Sequence, residues 1–151
     1  MHLRSTPPMR RDVAEVLLNL AREDRAELDA TGCRDFADMF MNGLRSAQIS
    51  GCVDSGGRAV SLFGCCPDTR IDGAGIPWMI CTPEFRAHPR EAMLLSKQVI
   101  DRMRAAFPYL HNLVHAEHAT AIRWLRWLGF HVEPDQVGPN GAFRHFWSAH
   151  V

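Results

Sequence analysis

The histidines His111, His115 and His118 are the first candidates for chemistry, because imidazole both carries protons near neutral pH and binds metals. His111 and His115 fall on one face of an expected strand. Glu117 is the nearby carboxylate, and no set of cysteines or carboxylates with zinc spacing completes a ligand shell, so no metal is expected. Cys33, Cys52, Cys65, Cys66 and Cys81 are odd in number and lack a CxxC pair, which reads as reduced, mostly buried thiols. Adjacent Cys65 and Cys66 point to opposite faces of a strand and are poorly placed to bond to each other. Lys97 is the only lysine beside sixteen arginines. Guanidinium groups pair bidentately with phosphate and carboxylate, although GC-rich coding gives the same excess. Trp124 and Trp127, with Phe143 and Trp147, form either core or, where exposed, an interface.

These residues need a scaffold, and the composition supplies one. The 151 residues suit one domain, 1–151, and 46% hydrophobic with 23% charged residues is ordinary for a packed fold. Acidic and basic groups balance at 17 each, so no overall field draws the chain to nucleic acid or an anionic membrane. The first residues lack the apolar run of a secretory signal, and no stretch of about 18 apolar residues could span a bilayer, so a cytoplasmic protein is expected.

Helical spacing of Val13, Val16, Leu17 and Leu20 after Thr6-Pro7-Pro8 predicts a helix from about Met9 to Glu23, and Phe36, Met39, Phe40 and Leu44 predict a second. A short strand near Leu3 is possible. The period then changes to that of strands: Gln48 to Val53 and Ala59 to Cys66 form a hairpin across Asp54-Ser55-Gly56-Gly57, and Ile76 to Cys81 follows. Pro89 to Phe107 is the clearest helix, with Ala92, Leu95, Val99, Met103 and Ala106 on one face. Leu110 to His115 then reads as a strand, Glu117 to Leu128 as a helix, Phe130 to Val132 as a strand, Pro134 to Gly141 as a loop, and Ala142 to Val151 as a closing strand. The fold class is α/β: a mixed, mostly antiparallel sheet of six to seven strands with about four flanking helices. A strand, helix, strand run calls for one parallel pair with a right-handed crossover.

Two stretches carry a family resemblance. Cys81-Thr82-Pro83-Glu84-Phe85-Arg86 looks like the strand end and Pro-Glu-aromatic-Arg of the GNAT superfamily of acyl-CoA-dependent N-acyltransferases, and Ala121 to Phe130, ending Leu128-Gly129-Phe130, resembles the helix after that family's fifth strand. The element order agrees over nearly the whole chain. Arg123 to Phe130 also resembles small GNAT-like proteins of tailed phages, including internal virion proteins.

The resemblance implies a splay between the fourth and fifth strands and an acetyl-CoA or other acyl-CoA cofactor, with an amine as acceptor. It places Arg86, Ala87, His88 and Arg90 at the phosphates and the backbone near Cys81 along the pantetheine. In the family the loop reads Arg/Gln-x-x-Gly-x-Gly/Ala, whose amides cradle the pyrophosphate at a helix start. Here Pro89 and Glu91 replace the glycines, which removes one donor and adds a repelling charge. Either side chains of Arg86, His88 and Arg90 substitute for the amides, or the loop is only a helix start. The family's proton-donating tyrosine corresponds to Leu125, and Tyr109 is badly placed to replace it. His118 stands at the helix start where the family has an asparagine; with Glu84 it is a candidate for proton transfer, beside capping and solvated readings, while Asp72 lies in a loop that could border the site. Two functions follow: N-acyl transfer from an acyl-CoA to an amine, or a catalytically silent GNAT-like phage virion or host-interaction protein that works through a protein partner.

Overall fold

The computed structural model describes residues 1–149. Over these the chain forms β1 (His2–Leu3), α1 (Arg10–Leu18), α2 (Arg22–Ala30), α3 (Phe36–Ser46), β2 (Ile49–Ser55), β3 (Arg58–Pro67), β4 (Ala74–Cys81), α4 (Pro83–Arg86), α5 (Pro89–Ala106), β5 (Tyr109–His115), α6 (Ala119–Trp127), β6 (His131–Val137) and β7 (Phe143–Ala149). The strands make one sheet of seven in the order β1-β2-β3-β4-β5-β7-β6. Only β4 and β5 run parallel, joined by the crossover helix α5, and every other neighbouring pair is antiparallel. The α/β, mostly antiparallel class expected from the sequence is therefore observed. Residues 150–151, which the sequence assigns to the closing strand, lie outside the described residues.

Helices cover both faces. Val13, Val16, Leu28 and Phe40 of α1 to α3 pack on Cys52, Leu62 and Ile80, while Val99, Ile100 and Met103 of α5 and Ile122 of α6 pack on Phe63, Cys65, Leu110, Val114 and Phe146. Adjacent Leu62 and Phe63 thus serve opposite layers, as strand alternation requires.

The expected helix from Met9 to Glu23 stops at Leu18, and α2, which runs to Ala30, lies almost wholly beyond it. At Asn19 the backbone leaves helical geometry (φ −114°, ψ 22°), and Ala21 is extended with ψ 143°. The break is fixed by tertiary contact: the Ala21 N–H donates to the Cys81 carbonyl at 2.9 Å, which docks the start of α2 on the end of β4. The short α4 also escaped the sequence reading, so the helices number six rather than about four. β6 continues to Val137 through a register irregularity between Val132 and Gln136, where Pro134 interrupts the ladder, so part of the expected loop is strand.

The amino-terminal segment is tied down by one guanidinium. Arg4 donates to both oxygens of Asp54 at 2.8 and 2.7 Å and to both oxygens of Asp12 at 2.6 and 2.9 Å. Asp12 Oδ2 also accepts the Met9 N–H at 2.7 Å, which satisfies a donor at the start of α1. Across the hairpin partners β3 and β4, Gly64 faces Trp78. A Cβ there would lie 2.6 to 2.8 Å from indole atoms. The Gly64→Ala chain is accordingly expected to lose about 1–3 kcal/mol through overpacking, read as a lower urea midpoint with an unchanged slope.

Candidate functional site

The β4–β5 pairing lasts two residues, Ala74 with Tyr109 and Gly75 with Leu110, and the strands then part. The phase of the β3–β4 ladder decides what faces the gap. The Thr82 N–H bonds the Val60 carbonyl at 2.9 Å, so alternate residues Pro77, Met79 and Cys81 turn their backbone groups away from β3. Pro77 has no N–H to leave unpaired there, and its carbonyl accepts from Asn112 Nδ2 at 2.8 Å. Cys81 is engaged at both groups: its N–H donates to Asp24 Oδ2 at 2.9 Å and its carbonyl accepts from Ala21. The Met79 N–H and carbonyl have no partner among the described residues.

The gap opens into a cavity of about 510 Å³ that reaches from the α2–α3 side of the sheet to the α5–α6 side. Phe40, Phe63, Trp78, Trp124, Leu125 and Phe146 supply apolar wall, and Asp24, Glu27, Ser96, Asn112 and His118 supply polar groups.

A charge network, buried except at Glu23, lies at one end. Arg86 Nη1 donates to Glu23 at 2.9 Å, Nη2 to Asp24 Oδ1 at 2.5 Å, and Nε to the Cys81 sulfur at 3.2 Å. His118 is 4% exposed. Its Nδ1 accepts the Ala121 N–H at 3.3 Å, so the proton sits on Nε2, which donates to Asp24 Oδ1 at 2.9 Å. His118 therefore caps α6 and braces Asp24. Burial pushes the Cys81 thiol up to about 12, which keeps it protonated and unreactive at neutral pH.

No protein-family model matches the sequence, and no curated protein matches it. Solved structures do. Ard1 from Thermoplasma volcanium aligns with TM-score 0.75 over 99% of this chain and 97% of its own, at 12% identity. The ribosomal-protein-alanine N-acetyltransferase from Brucella melitensis aligns with TM-score 0.68 over 99% of both chains, at 13% identity. A GNAT superfamily phosphinothricin acetyltransferase from Sinorhizobium meliloti, solved with AcCoA, gives TM-score 0.66 over 99% of this chain and 89% of its own, at 13% identity. The chain has the GNAT fold.

In the GNAT frame the residues expected at the cofactor are brought together at the end of β4, but most are engaged within the chain. The loop after β4 is a helical turn in which the N–H groups of Arg86, Ala87 and His88 donate to Thr82, Pro83 and Phe85. Pro89 offers no donor, and the Met1 ammonium lies 3.0 Å from Glu91 at the start of α5. The Arg86 side chain is held in the buried network, whereas Ala87, His88 and Arg90 are exposed. Glu84 pairs with Arg58 at 2.9 Å and does not line the cavity. Leu125, where the family has its tyrosine, is part of the cavity wall. His111 bonds Asp68 at 2.8 Å and His145 at 3.2 Å, away from His118. Trp124 packs edge-on against Phe85 with centroids 5.9 Å apart, while Trp127 is 54% exposed.

The sequence reading missed Glu27. It sits on α2 beside the buried positions Asp24 and Leu28, and its Oε2 accepts the His115 N–H at 3.1 Å. Burial and the nearby Asp24 carboxylate push its pKa up, against the opposing pull of the His115 N–H. The signal available in sequence was the i, i+3, i+4 spacing of Asp24, Glu27 and Leu28, obscured by the charge-rich run Arg22 to Asp29.

Proposed function

We propose that the protein is an N-acyltransferase that moves an acyl group from a thioester to an amine across the β4–β5 gap. The observation that carries this reading is the cavity running through the sheet with the unpaired Met79 backbone at its waist. A pantetheine-like arm is itself a chain of amides, and a strand edge with a free N–H and carbonyl is its natural partner. The phosphate end does not fit CoA in the family manner, because the loop amides are spent and Arg86 is ion-paired. His88 and Arg90 are then the groups left to meet phosphates. Within the cavity the chain's own contribution is threefold: Met79 aligns the donor, the apolar walls exclude water, and Glu27 accepts the proton an attacking amine must lose. Leu125 cannot protonate the departing sulfur, which leaves as the thiolate and takes its proton from solvent once it is outside the apolar walls.

A second reading, a silent GNAT-fold module acting on a protein partner, is favoured by the closure of the Cys81 edge under α2. Its narrower form, a phage virion component, gains nothing from the three structures above, none of which is a virion protein. Calorimetry separates the two readings. Acetyl-CoA and CoA are expected to bind with Kd from about 10 μM to 1 mM, weakened about fivefold or more in an Arg90→Ala chain. Absence of binding at millimolar cofactor would sink acyl transfer and leave the binding module.

A further inference from the structure

Two polar side chains of the cavity wall, Ser96 and Glu27, have hydrogen-bonding capacity left for a ligand. Ser96, 1% exposed on α5, lines the cavity with its hydroxyl unbonded. Glu27, half-buried on the α2 side, uses Oε2 for the His115 N–H, while Oε1 has no hydrogen-bond partner and the carboxylate no cation among the described residues. The other charges in the cavity are matched: Arg86 is the cation among its lining residues and is held by Glu23 and Asp24, and Asp24 is held in turn by Arg86 and His118. An ionised carboxylate facing apolar walls is costly unless a cation joins it.

We propose that the α2–α3 side of this cavity is the binding site of a small apolar molecule bearing one primary ammonium group, seated with the ammonium on Glu27 and its hydrocarbon body against Phe40 and Trp78. Each alternative ligand class meets an obstacle on the same walls. A carboxylate is repelled by Glu27 and Asp24. A neutral apolar molecule leaves the Glu27 charge uncompensated. A polyamine needs a second unmatched acid, and Asp24 is already matched. A peptide backbone needs many hydrogen-bonding partners, and Asp24, Asn112 and His118 on these walls are already bonded within the chain. The volume, about 510 Å³ across both sides of the sheet, leaves room for a small molecule on the α2 side. As the acyl acceptor, this amine rests on the acyl-transfer reading; as a ligand, it rests on the cavity alone.

The test is calorimetry on the full chain with hexylamine and phenethylamine, against hexanol, hexanoate and spermidine. The two amines are expected to bind at least about tenfold more tightly than the alcohol, the acid or spermidine, and Glu27→Gln is expected to remove that preference. Glutamine keeps an acceptor for the His115 N–H, and a thermal melt of the variant confirms that it folds. Glu27→Asp, which keeps the charge, is expected to retain a preference for the amines over hexanol. Equal binding of amine and alcohol, an amine preference that survives Glu27→Gln, or no amine binding at all would each overturn the proposal. If acetyl-CoA binds and these amines do not, this inference falls while acyl transfer stands. If the amines bind through Glu27 and acetyl-CoA does not, the site stands and acyl transfer falls.

Discussion

Replacing Arg4 with methionine is expected to cost about 3 kcal/mol or more, among the largest single effects in the chain. Arg4 is 14% exposed, and its guanidinium lies between Asp12 and Asp54, themselves 6% and 12% exposed. Methionine fills much the same space but leaves two carboxylates facing each other without a cation. The cost is therefore uncompensated charge rather than lost volume. It also loosens three elements at once, since Arg4 ties β1 to α1 and β2. Burial works against ionisation of Asp12, yet the Arg4 hydrogen bonds and the Met9 N–H outweigh it and hold the pKa below the ordinary value. A depressed carboxylate contributes stability that is present above its unfolded pKa and lost as pH falls through the folded one. The penalty of the substitution should thus be full at pH 7 and shrink in acid. Urea unfolding followed by circular dichroism at both ends of that range is the measurement. A loss below about 1 kcal/mol at pH 7 would show the triad to be solvated and nearly inert. Adding Asp12→Asn and Asp54→Asn to the Arg4→Met chain should restore part of the loss, because the buried charges go with the cation.

How much was legible in the sequence follows from how local each cause is. α5 was readable because Ala92, Val99 and Met103 repeat with the helical period, and the β2–β3 hairpin because the turn at Gly56-Gly57 separates two strand-patterned runs, both glycines having positive φ. The parallel β4–β5 pair and its splay followed from element order and resemblance. The break between α1 and α2 was not readable, since Leu17 and Leu20 keep the helical spacing and only the Cys81 carbonyl, 60 positions away, decides that Ala21 is extended. Arg86 shows the same limit at the site. Its residue type and place after β4 fit an anion contact, but its actual partners, Glu23 and Asp24, lie on a helix whose docking the sequence does not announce. Glu27 went unseen because half-buried and solvated glutamates look alike in a run of charges. Contacts between distant segments therefore decide both what closes this site and what remains open in it.

An Asp24→Ala chain is expected to be less stable by about 3 kcal/mol or more and, if the acyl-transfer reading holds, to bind acetyl-CoA more tightly. Asp24 is 8% exposed and accepts from the Cys81 N–H, the Cys81 thiol, Arg86 and His118. Alanine leaves those donors buried without their acceptor, with Glu23 alone to hold the arginine. Asparagine is little better for stability: its carbonyl can keep the Cys81 N–H, but its amide hydrogens would face donors on Arg86 and His118. The gain in affinity has a separate origin. With Asp24 removed, the Cys81 N–H joins Met79 as free strand edge, Arg86 is released toward the loop, and a donor arm no longer has to displace a carboxylate to pair with β4. Calorimetry well below the melting temperature separates the two effects, since a merely weakened fold lowers the melting temperature without creating affinity. Tighter cofactor binding in this less stable chain would make α2 a cover over the cofactor edge. Loss of stability with no binding at millimolar acetyl-CoA would make the Asp24 network part of the permanent core, and the edge of β4 would then be closed because this fold has no thioester to receive.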